Sequence, residues 1–358
     1  MVREIVKFDL ERDFSGFQAL STACFGPNSN LDKEMHRWLL DENPYQADGN
    51  LLFLMKEDDK AIACDGLLLN ELYLKGKSYL LAHSVKSMTD PDYRGQGLFR
   101  LMTENSVLQA REAGVDLILG LANKASYPAY QKFNWQTLFE KEVLVKPIHI
   151  RKFLKRKLHL SAVAAAVDTV FGLWNKARNS KSNKDLSFAW LEQVPAETEE
   201  VWQRYKDKYD VLLVRDYKYL NYRYNARPDV AYRTLVVRDQ DEIVGYAILR
   251  EASTLHSELG SVAEFFTDPF NENYIKYMAQ QLNIYAYERG LDYLVLSCGN
   301  FGSYRQLLKK QGYHATLQPA VNNMMIACIL NDEIHSEDLK GAEHWHVSQG
   351  DGDAELDL

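Results

Sequence analysis

Residues 90–102, DPDYRGQGLFRLM, give the clearest indication of the architecture of this chain. They place Arg94, Gly95 and Gly97 directly before a segment with the spacing of an amphipathic helix. Glycines at the start of a helix leave its backbone N–H groups uncovered, and the helix dipole attracts anions to that end. The stretch therefore predicts a phosphate-binding turn between a strand and a helix, or else a plain glycine turn.

The segments before this stretch predict an antiparallel sheet. Three strand-like segments occupy residues 50–89, and turns at residues 58–59 and 75–77 join them. A strand and two helices are predicted ahead of them, within residues 3–42.

The segments after the stretch continue the same sheet. The apolar segment LILGLA (117–122) predicts a buried strand. A helical crossover connects it to HSVKSMT (83–89), so the two strands are expected to pair in parallel. A short helix over SYPAYQKF (126–133) and one strand over WQTLFEKEVLV (135–145) complete the unit.

Length and composition restrict the class of protein. The chain has 358 residues, which favours two domains, and it contains no apolar run long enough to span a bilayer. A net charge of -8 argues against a general nucleic-acid binder, and the charged N-terminus lacks the pattern of a signal peptide. We therefore expect a cytoplasmic protein. The cysteines lack C-x-x-C spacing and are interpreted as reduced core thiols.

One basic segment stands apart from this acidic background. Residues 146–157, KPIHIRKFLKRK, precede an apolar stretch, and the region 146–174 has the composition of a surface that contacts anionic membranes or acidic partners. A solvated helix between two domains explains the same pattern and is the preferred interpretation.

An internal repeat indicates how the domains arose. TDP at 89–91 recurs at 267–269, and REAGVDLIL at 111–119 is echoed by YERGLDYLVL at 287–296. The second member of each pair follows the first at nearly the same distance along the chain. Such a constant offset predicts a duplicated domain. We expect an α/β (α+β) fold of two tandem mixed-sheet domains flanked by helices. The predicted boundaries are 1–147 for the first domain, 148–210 for a mainly helical linker and 211–358 for the second domain.

Two motifs resemble those of the Gcn5-related N-acetyltransferase (GNAT) superfamily. Its motif R/Q-x-x-G-x-G/A is similar to Arg94-Gly-Gln-Gly97, with Phe99 where the last small residue is expected. Its second motif, N-x-x-[AS]-x-x-[LA]-Y-x-x-x-G-F, is matched at the same spacings by Asn123, Ser126, Ala129 and Tyr130, and Asn134 and Trp135 replace the Gly and Phe. Asn tolerates the left-handed turn that Gly would adopt there.

This resemblance implies a fold, a cofactor and a set of roles. The cofactor is acetyl-CoA as acyl donor, with no metal. Backbone amides near Ser87, Met88 and Thr89 would polarise the thioester carbonyl. Tyr130 would protonate the leaving thiolate. The full set of cofactor-binding residues implied is Ser87, Met88, Thr89, Arg94, Gly95, Gln96, Gly97, Leu98, Phe99, Asn123 and Ser126.

A general base for the amine is also required. His83 lies eleven residues before Arg94 in the sequence, and another member of the superfamily has a catalytic histidine at that offset. An imidazole suits proton transfer near neutral pH. A histidine on an apolar strand is also a common core residue, and Glu71 and Asp65 are weaker candidates for the same role.

The second half of the repeat lacks the features of a cofactor site. The loop after TDP at 267–269 reads FNENYIKYM, without glycine or Arg, and Leu308 replaces Tyr130. We therefore interpret the second domain as degenerate. The tyrosines and arginines of residues 215–232 resemble a segment of tandem acetyltransferase-like proteins associated with surface polysaccharides. Core packing and a domain interface explain the same residues at least as well and are the preferred interpretation. His344 and His346 have no evident third metal ligand.

The sequence thus predicts an acetyl-CoA-dependent N-acetyltransferase that acts on a primary amine of a small molecule, such as an amino sugar. The alternatives are a noncatalytic module that binds acyl-CoA as a scaffold or sensor, and another acyl or aminoacyl transferase.

Overall fold

The structure is a computed structural model that describes residues 2–26, 32–46, 49–149, 169–170, 185–253, 257–297, 299–315 and 324–351. Within these residues, no helix is both long enough and apolar enough to cross a membrane. Most of the basic region 146–174, and Cys298, lie outside the described residues.

The first half of the chain alternates strands and helices in the predicted order. Its elements are β1 (Arg3–Lys7), α1 (Leu10–Phe25), α2 (Lys33–His36, continued by a π-helical turn, Arg37–Asp41), β2 (Leu51–Glu57), β3 (Lys60–Leu74), β4 (Lys77–Thr89), a 3₁₀ turn (Pro91–Tyr93), α3 (Leu98–Glu112), β5 (Leu117–Ala122), α4 (Tyr127–Lys132), β6 (Gln136–Glu140) and β7 (Val143–Pro147).

The second half follows a similar order. Its elements are β8 (Leu186–Leu191), α5 (Thr198–Tyr205), a 3₁₀ turn (Lys206–Lys208), β9 (Val211–Leu213), α6 (Tyr217–Leu220, continued by a π-helical turn, Asn221–Asn225), β10 (Tyr232–Asp239), β11 (Glu242–Ser253), β12 (Glu258–Thr267), α7 (Glu272–Glu288), β13 (Tyr293–Ser297), α8 (Tyr304–Lys310), β14 (His314–Ala315), β15 (Met324–Ile329), α9 (Ser336–Leu339) and a 3₁₀ turn (Ala342–His344).

These elements form two mixed sheets with helices against them. The first has the order β1-β2-β3-β4-β5-β15-β6, and β9 pairs with the C-terminal end of β3, at Leu72–Leu74, beyond the residues that pair with β2. The second has the order β14-β7-β13-β12-β11-β10-β8. The predicted parallel pairing of β4 with β5 is confirmed, as is the antiparallel run from β2 to β4. The fold is therefore the predicted α/β class with two mixed sheets.

The repeat is visible in matching hydrogen bonds. Asp116 precedes β5, and its carboxylate accepts from the N–H of Leu80 at 2.7 Å. Asp292 precedes β13, and its carboxylate accepts from the N–H of Glu258, also at 2.7 Å. In both halves a glycine with positive φ ends the preceding helix, Gly114 in the first half. The two halves therefore use the same device to begin their parallel strand pair.

Strands of each half join the sheet of the other half, which the sequence patterns do not reveal: β9 and β15 lie in the first sheet, and β7 lies in the second. β15 comes from the C-terminal part of the chain, yet it pairs with β5 and β6 in the first sheet. β7 comes from the first half, yet it lies between β13 and β14 in the second sheet. The single strand predicted over 135–145 is therefore divided at Lys141 and Glu142, because its two parts belong to different sheets.

This exchange bears on the predicted boundaries 1–147, 148–210 and 211–358. They do not coincide with the sheets, since each sheet takes a strand from the other half of the chain. Within 148–210, the described residues include a strand, β8, which pairs with β10 at the edge of the second sheet, as well as the helix α5.

Candidate active site

The turn before α3 has the predicted conformation. Gly95 and Gly97 have φ values of +79° and +78°, a region that favours glycine, and a Cβ built on either would point into open space. No side chain among the described residues caps the N–H groups at the start of α3, and its first turn has no acidic residue. By contrast, Asp9 caps the N–H groups of α1. The start of α3 therefore offers free donors to an anion.

The side chains around this turn are mostly exposed. The Nε of Arg94 donates to the backbone oxygen of Thr89 at 3.3 Å, which holds the start of the turn against the end of β4. The side-chain oxygen of Gln96 accepts from Arg3 at 2.7 Å. Leu98 is buried, and anchors the first turn of α3 in the core below.

The end of β4 contains a bulge where the sequence predicts a thioester site. The register between β3 and β4 shifts between Cys64 and Gly66, and Lys86 adopts a φ of +55°. Parallel pairing between β4 and β5 stops at His83 and Leu119. The strands therefore separate beyond that point, and backbone groups of Ser87 to Thr89 are not committed to β5.

Tyr130 lies on the α3 side of this gap. Its hydroxyl is 3.2 Å from the Oγ of Ser84 on β4. Its ring packs edge-on against Phe99, with centroids 5.2 Å apart, and contacts Trp135 at 4.7 Å. The departure at Phe99 from the family motif thus gives Tyr130 an aromatic wall. Asn134 has a φ of +62°, which confirms the predicted left-handed turn.

Asn123 and Ser126 form a compact turn ahead of α4. The Oδ1 of Asn123 accepts from the N–H groups of Ala125 and Ser126 at 2.9 and 3.0 Å. In return, the Oγ of Ser126 accepts from the N–H of Asn123 at 3.1 Å. These bonds fix the loop that carries Tyr130 beside the gap between β4 and β5.

His83 lies on the opposite face of β4 from Ser84, because successive side chains of a strand alternate. It faces a pocket whose walls come from both halves of the chain. Its lining includes Leu68, Asn70, Tyr219, Tyr222, Arg223 and Gly350. The Nε2 of His83 is buried and has no hydrogen-bond partner among the described residues. Burial lowers the pKa of His83 to about 4, so its imidazole is neutral at physiological pH.

The two carboxylates considered as alternative bases lie elsewhere. Glu71 is on β3 and only partly buried; burial, followed by the charge of Asp216, raises its pKa. Asp65 is 3% exposed and bonds Ser87 and Ser106, on the α3 side of the sheet. Neither residue lines the pocket of His83. An Asp within the apolar run of β3 was the sequence signal for this buried site.

The corresponding turn of the second half is closed to anions. Asn271 caps α7, because its side chain accepts from the N–H groups of Asn273 and Tyr274 at 3.1 and 3.2 Å. Leu308 is buried where the first half has Tyr130. The two histidines noted from the sequence have structural contacts: His344 pairs with Asp210, and His346 packs among Tyr209, Phe266 and Tyr304.

An anion at the start of α3 and a thioester in the gap after His83 would lie beside Tyr130, as acyl transfer from a CoA thioester requires. This is the arrangement that the resemblance to the GNAT superfamily predicts. Residues 7–138 match the family model described as an acetyltransferase (GNAT) domain. The match covers the part of the chain from β1 to β6, which contains the turn before α3 and Tyr130, and that part is similar to a GNAT acetyltransferase domain.

Solved structures share the fold over most of the chain. A probable N-acyltransferase from Enterococcus faecalis V583 has a TM-score of 0.65 at 12% identity, over 92% of this chain and 73% of that one. A GCN5-related N-acetyltransferase from Anabaena variabilis has a TM-score of 0.64 at 14% identity, with the same coverage. Saccharomyces cerevisiae N-myristoyltransferase with bound myristoyl-CoA has a TM-score of 0.63 at 10% identity, over 96% and 89%. No curated protein matches at a significant level.

Proposed function

We propose that the protein transfers the acetyl group of acetyl-CoA to a primary amine of a small molecule. The observation that carries this proposal is the arrangement around β4. Tyr130 and the start of α3 lie on one face of the strand, and His83 with its pocket lies on the other. The gap between β4 and β5 connects the two faces, so a thioester in it would be accessible from both.

In this mechanism the pyrophosphate of CoA binds the free N–H groups of Gly97 and the first turn of α3. The thioester carbonyl lies in the gap and accepts a hydrogen bond from backbone amides near Ser87 and Met88. The amine enters from the pocket side in its uncharged form, and the imidazole of His83, whose pKa is only about 4, accepts a proton from the amine as the amine nitrogen bonds to the carbonyl carbon and becomes acidic. The C–S bond breaks, and Tyr130 donates its phenolic proton to the sulfur.

The pocket suggests a class of acceptor. Tyr219, Tyr222 and Asn70 are among the residues that line it. Aromatic faces beside hydrogen-bonding groups suit the two kinds of surface of a sugar ring. An amino sugar is therefore the first acceptor to test, in a panel that also includes amino acids and polyamines.

Substituting Gly97 by Val is expected to weaken acetyl-CoA binding by about tenfold or more, since charge-assisted bonds to phosphate are lost. The new side chain points into the open space in front of α3. Calorimetric titration with acetyl-CoA measures the change.

Gly76→Val is the matched control for this variant. Gly76 has a φ of +87° and open space around it, in the turn between β3 and β4. Both variants should therefore lose similar stability from the strained backbone, about 1–3 kcal/mol, and only Gly97→Val should lose affinity. Equal affinities in the two variants would exclude α3 as the CoA site, and no binding by the wild type would exclude acetyl-CoA as the donor.

Substituting His83 by Gln is expected to lower kcat/KM for the amine by about a hundredfold, the usual effect of losing a general base. Acetyl-CoA affinity should not change, because His83 faces away from α3. Thiol release from acetyl-CoA measures the rate with each amine of the panel. His36→Gln is the control, as His36 is also buried, packs against Phe14 and Phe17, and does not line the pocket. Equal losses in both variants would assign His83 a packing role.

A further inference from the structure

Asp65 is a buried carboxylate at the back of the candidate active site. It is 3% exposed and lies on β3, where the register of β3 and β4 shifts. One of its oxygens accepts a short hydrogen bond from the hydroxyl of Ser87, and the other accepts from Ser106 on α3 at 2.6 Å. A buried charge is costly, so its retention calls for an explanation.

The surroundings of Asp65 supply hydroxyl groups instead of a cation. Among the described residues, Asp65 forms no ion pair, and the groups that lower its pKa are the hydroxyls of Ser106 and Ser87 and the N–H of Gly66. Cys64 beside it is a buried thiol whose pKa is itself raised, by burial and then by Asp65. The loss of hydration outweighs these bonds and raises the pKa of Asp65 to about 6.

These contacts connect Asp65 to the two groups that would act on the thioester. Ser87 follows Lys86, the residue with positive φ in the bulge of β4, so a fixed Ser87 side chain fixes the backbone there. The Oγ of Ser87 lies 3.5 Å from that of Ser84, at the long limit for a hydrogen bond. Ser84 is in turn 3.2 Å from the hydroxyl of Tyr130.

We propose that Asp65 is a positioning residue: it holds the bulge of β4 through Ser87, and the Tyr130 hydroxyl through Ser84. The inference rests on the proposed function. Because Asp65 touches neither CoA nor the acceptor, its effect should appear only in contacts made by the acetyl group. If Asp65 no longer accepted a hydrogen bond from Ser87, the backbone N–H groups in the bulge of β4 would lose their alignment with the carbonyl of the thioester.

The test compares the affinities of CoA and acetyl-CoA, and it needs no knowledge of the acceptor. Both ligands share the contacts of the pyrophosphate, so the ratio of their dissociation constants isolates the acetyl group. Asp65→Asn and Ser87→Ala are each expected to lower the preference for acetyl-CoA by about threefold to tenfold, the loss of roughly one hydrogen bond. The affinity for CoA itself should stay constant. The double variant should be no worse than either single variant, because both break the same contact.

Ser106→Ala is the matched control. It removes the other hydrogen bond of Asp65 but leaves the connection to Ser87, Ser84 and Tyr130 in place. Measured well above pH 6, where Asp65 stays ionised in both proteins, its preference for acetyl-CoA should therefore equal that of the wild type. Equal preferences in Asp65→Asn and the wild type would overturn the proposal, whereas a wild type that binds neither ligand would overturn the proposed function itself.

Two further readouts separate positioning from simple stabilisation. In the wild type, the preference for acetyl-CoA should fall as the pH drops through about 6 and Asp65 gains a proton. The 3′-phosphate of CoA cancels in the ratio, since both ligands carry it. In Asp65→Asn the ratio should not vary over this range. A residue that merely stabilised the fold would leave the wild-type ratio equally constant.

Stability should change in the opposite direction from function. The folded-state pKa of Asp65 lies above its ordinary value, so ionising the carboxyl destabilises the fold as the pH rises through about 6. Asp65→Asn removes that charge and should unfold at the same temperature as the wild type, or higher, near neutral pH. A large loss of stability in this variant would show that Asp65 is a structural residue.

Discussion

Tyr130→Phe is expected to lower kcat by a factor of about 10² to 10⁴, the range for loss of a positioned general acid. The ring should keep its place, because Phe99 and Trp135 contact its faces and edge and these contacts do not involve the hydroxyl. The substitution removes the hydroxyl that lies 3.2 Å from the Oγ of Ser84. Acetyl-CoA affinity should therefore be unchanged, and the effect should fall on kcat. Thiol release with an amine accepted by the wild type measures it.

Tyr127→Phe is the control for this experiment. Tyr127 lies on the same helix, α4, and its hydroxyl also has a partner, Thr137 at 2.9 Å. Both variants thus remove one phenolic hydroxyl from neighbouring positions, and Tyr127→Phe also removes the bond that the side-chain amide of Gln131 donates to it at 2.9 Å. The proposed role of Tyr130 requires a large difference in kcat between them. If the protein is instead a noncatalytic module, the wild type should bind acetyl-CoA but show no turnover with any amine.

Local sequence patterns were sufficient to predict the parts of the site whose residues lie close together in the chain. The glycines before α3 and the turn at Asn134 follow from the conformations that these residues allow, and both were predicted. The parallel pairing of β4 and β5 follows from the crossover between them. Tyr130 belongs to the same motif as Asn134, so its place beside β4 also follows from short-range spacing.

Long-range pairing was not predictable in the same way. The apolar run MMIACI of β15 does not specify which strands it pairs with, and no strand was predicted there from the sequence. Exchange of β7 and β15 between the sheets depends on contacts between segments far apart in sequence. The same holds for the pocket of His83, where Tyr219 and Gly350 come from the other half of the chain. Sequence patterns gave His83 as a candidate without giving the residues opposite it.

A buried ion cluster shows how strongly these distant segments are joined. Arg215 follows β9, which pairs with the first sheet, and its side chain is fully buried. Its Nε donates to Glu264 on β12 of the second sheet at 2.8 Å. Its terminal nitrogen donates to both oxygens of Asp351 at 2.7 and 2.9 Å, and to Ser348 at 3.1 Å. The cluster therefore ties both sheets to the segment that includes Gly350.

Arg215→Met is expected to lower the free energy of unfolding by about 3–5 kcal/mol, because Glu264 and Asp351 stay buried without the cation that donates hydrogen bonds to both. Burial raises the pKa of Asp351, but the charge of Arg215, followed by the N–H of Ser348 and the charge of Lys141, holds it below its ordinary value. Burial raises the pKa of Glu264 even with Arg215 present. Without Arg215 both pKa values should rise, so the variant should bind protons on folding. The difference in the free energy of unfolding between the wild type and the variant should then shrink as the pH is lowered. Urea denaturation at several pH values would detect this change.

Arg233→Met is the exposed counterpart of this variant. Arg233 pairs with Glu192 at 2.8 Å, but its side chain is 42% exposed and that of Glu192 is 85% exposed. Its loss should cost less than about 1 kcal/mol, because solvent screens the pair. Similar costs for the two substitutions would contradict the structural role given to Arg215. If the cluster does hold Gly350 in the pocket wall, Arg215→Met should also raise KM for the amine under conditions where it remains folded, while acetyl-CoA affinity at α3 stays constant.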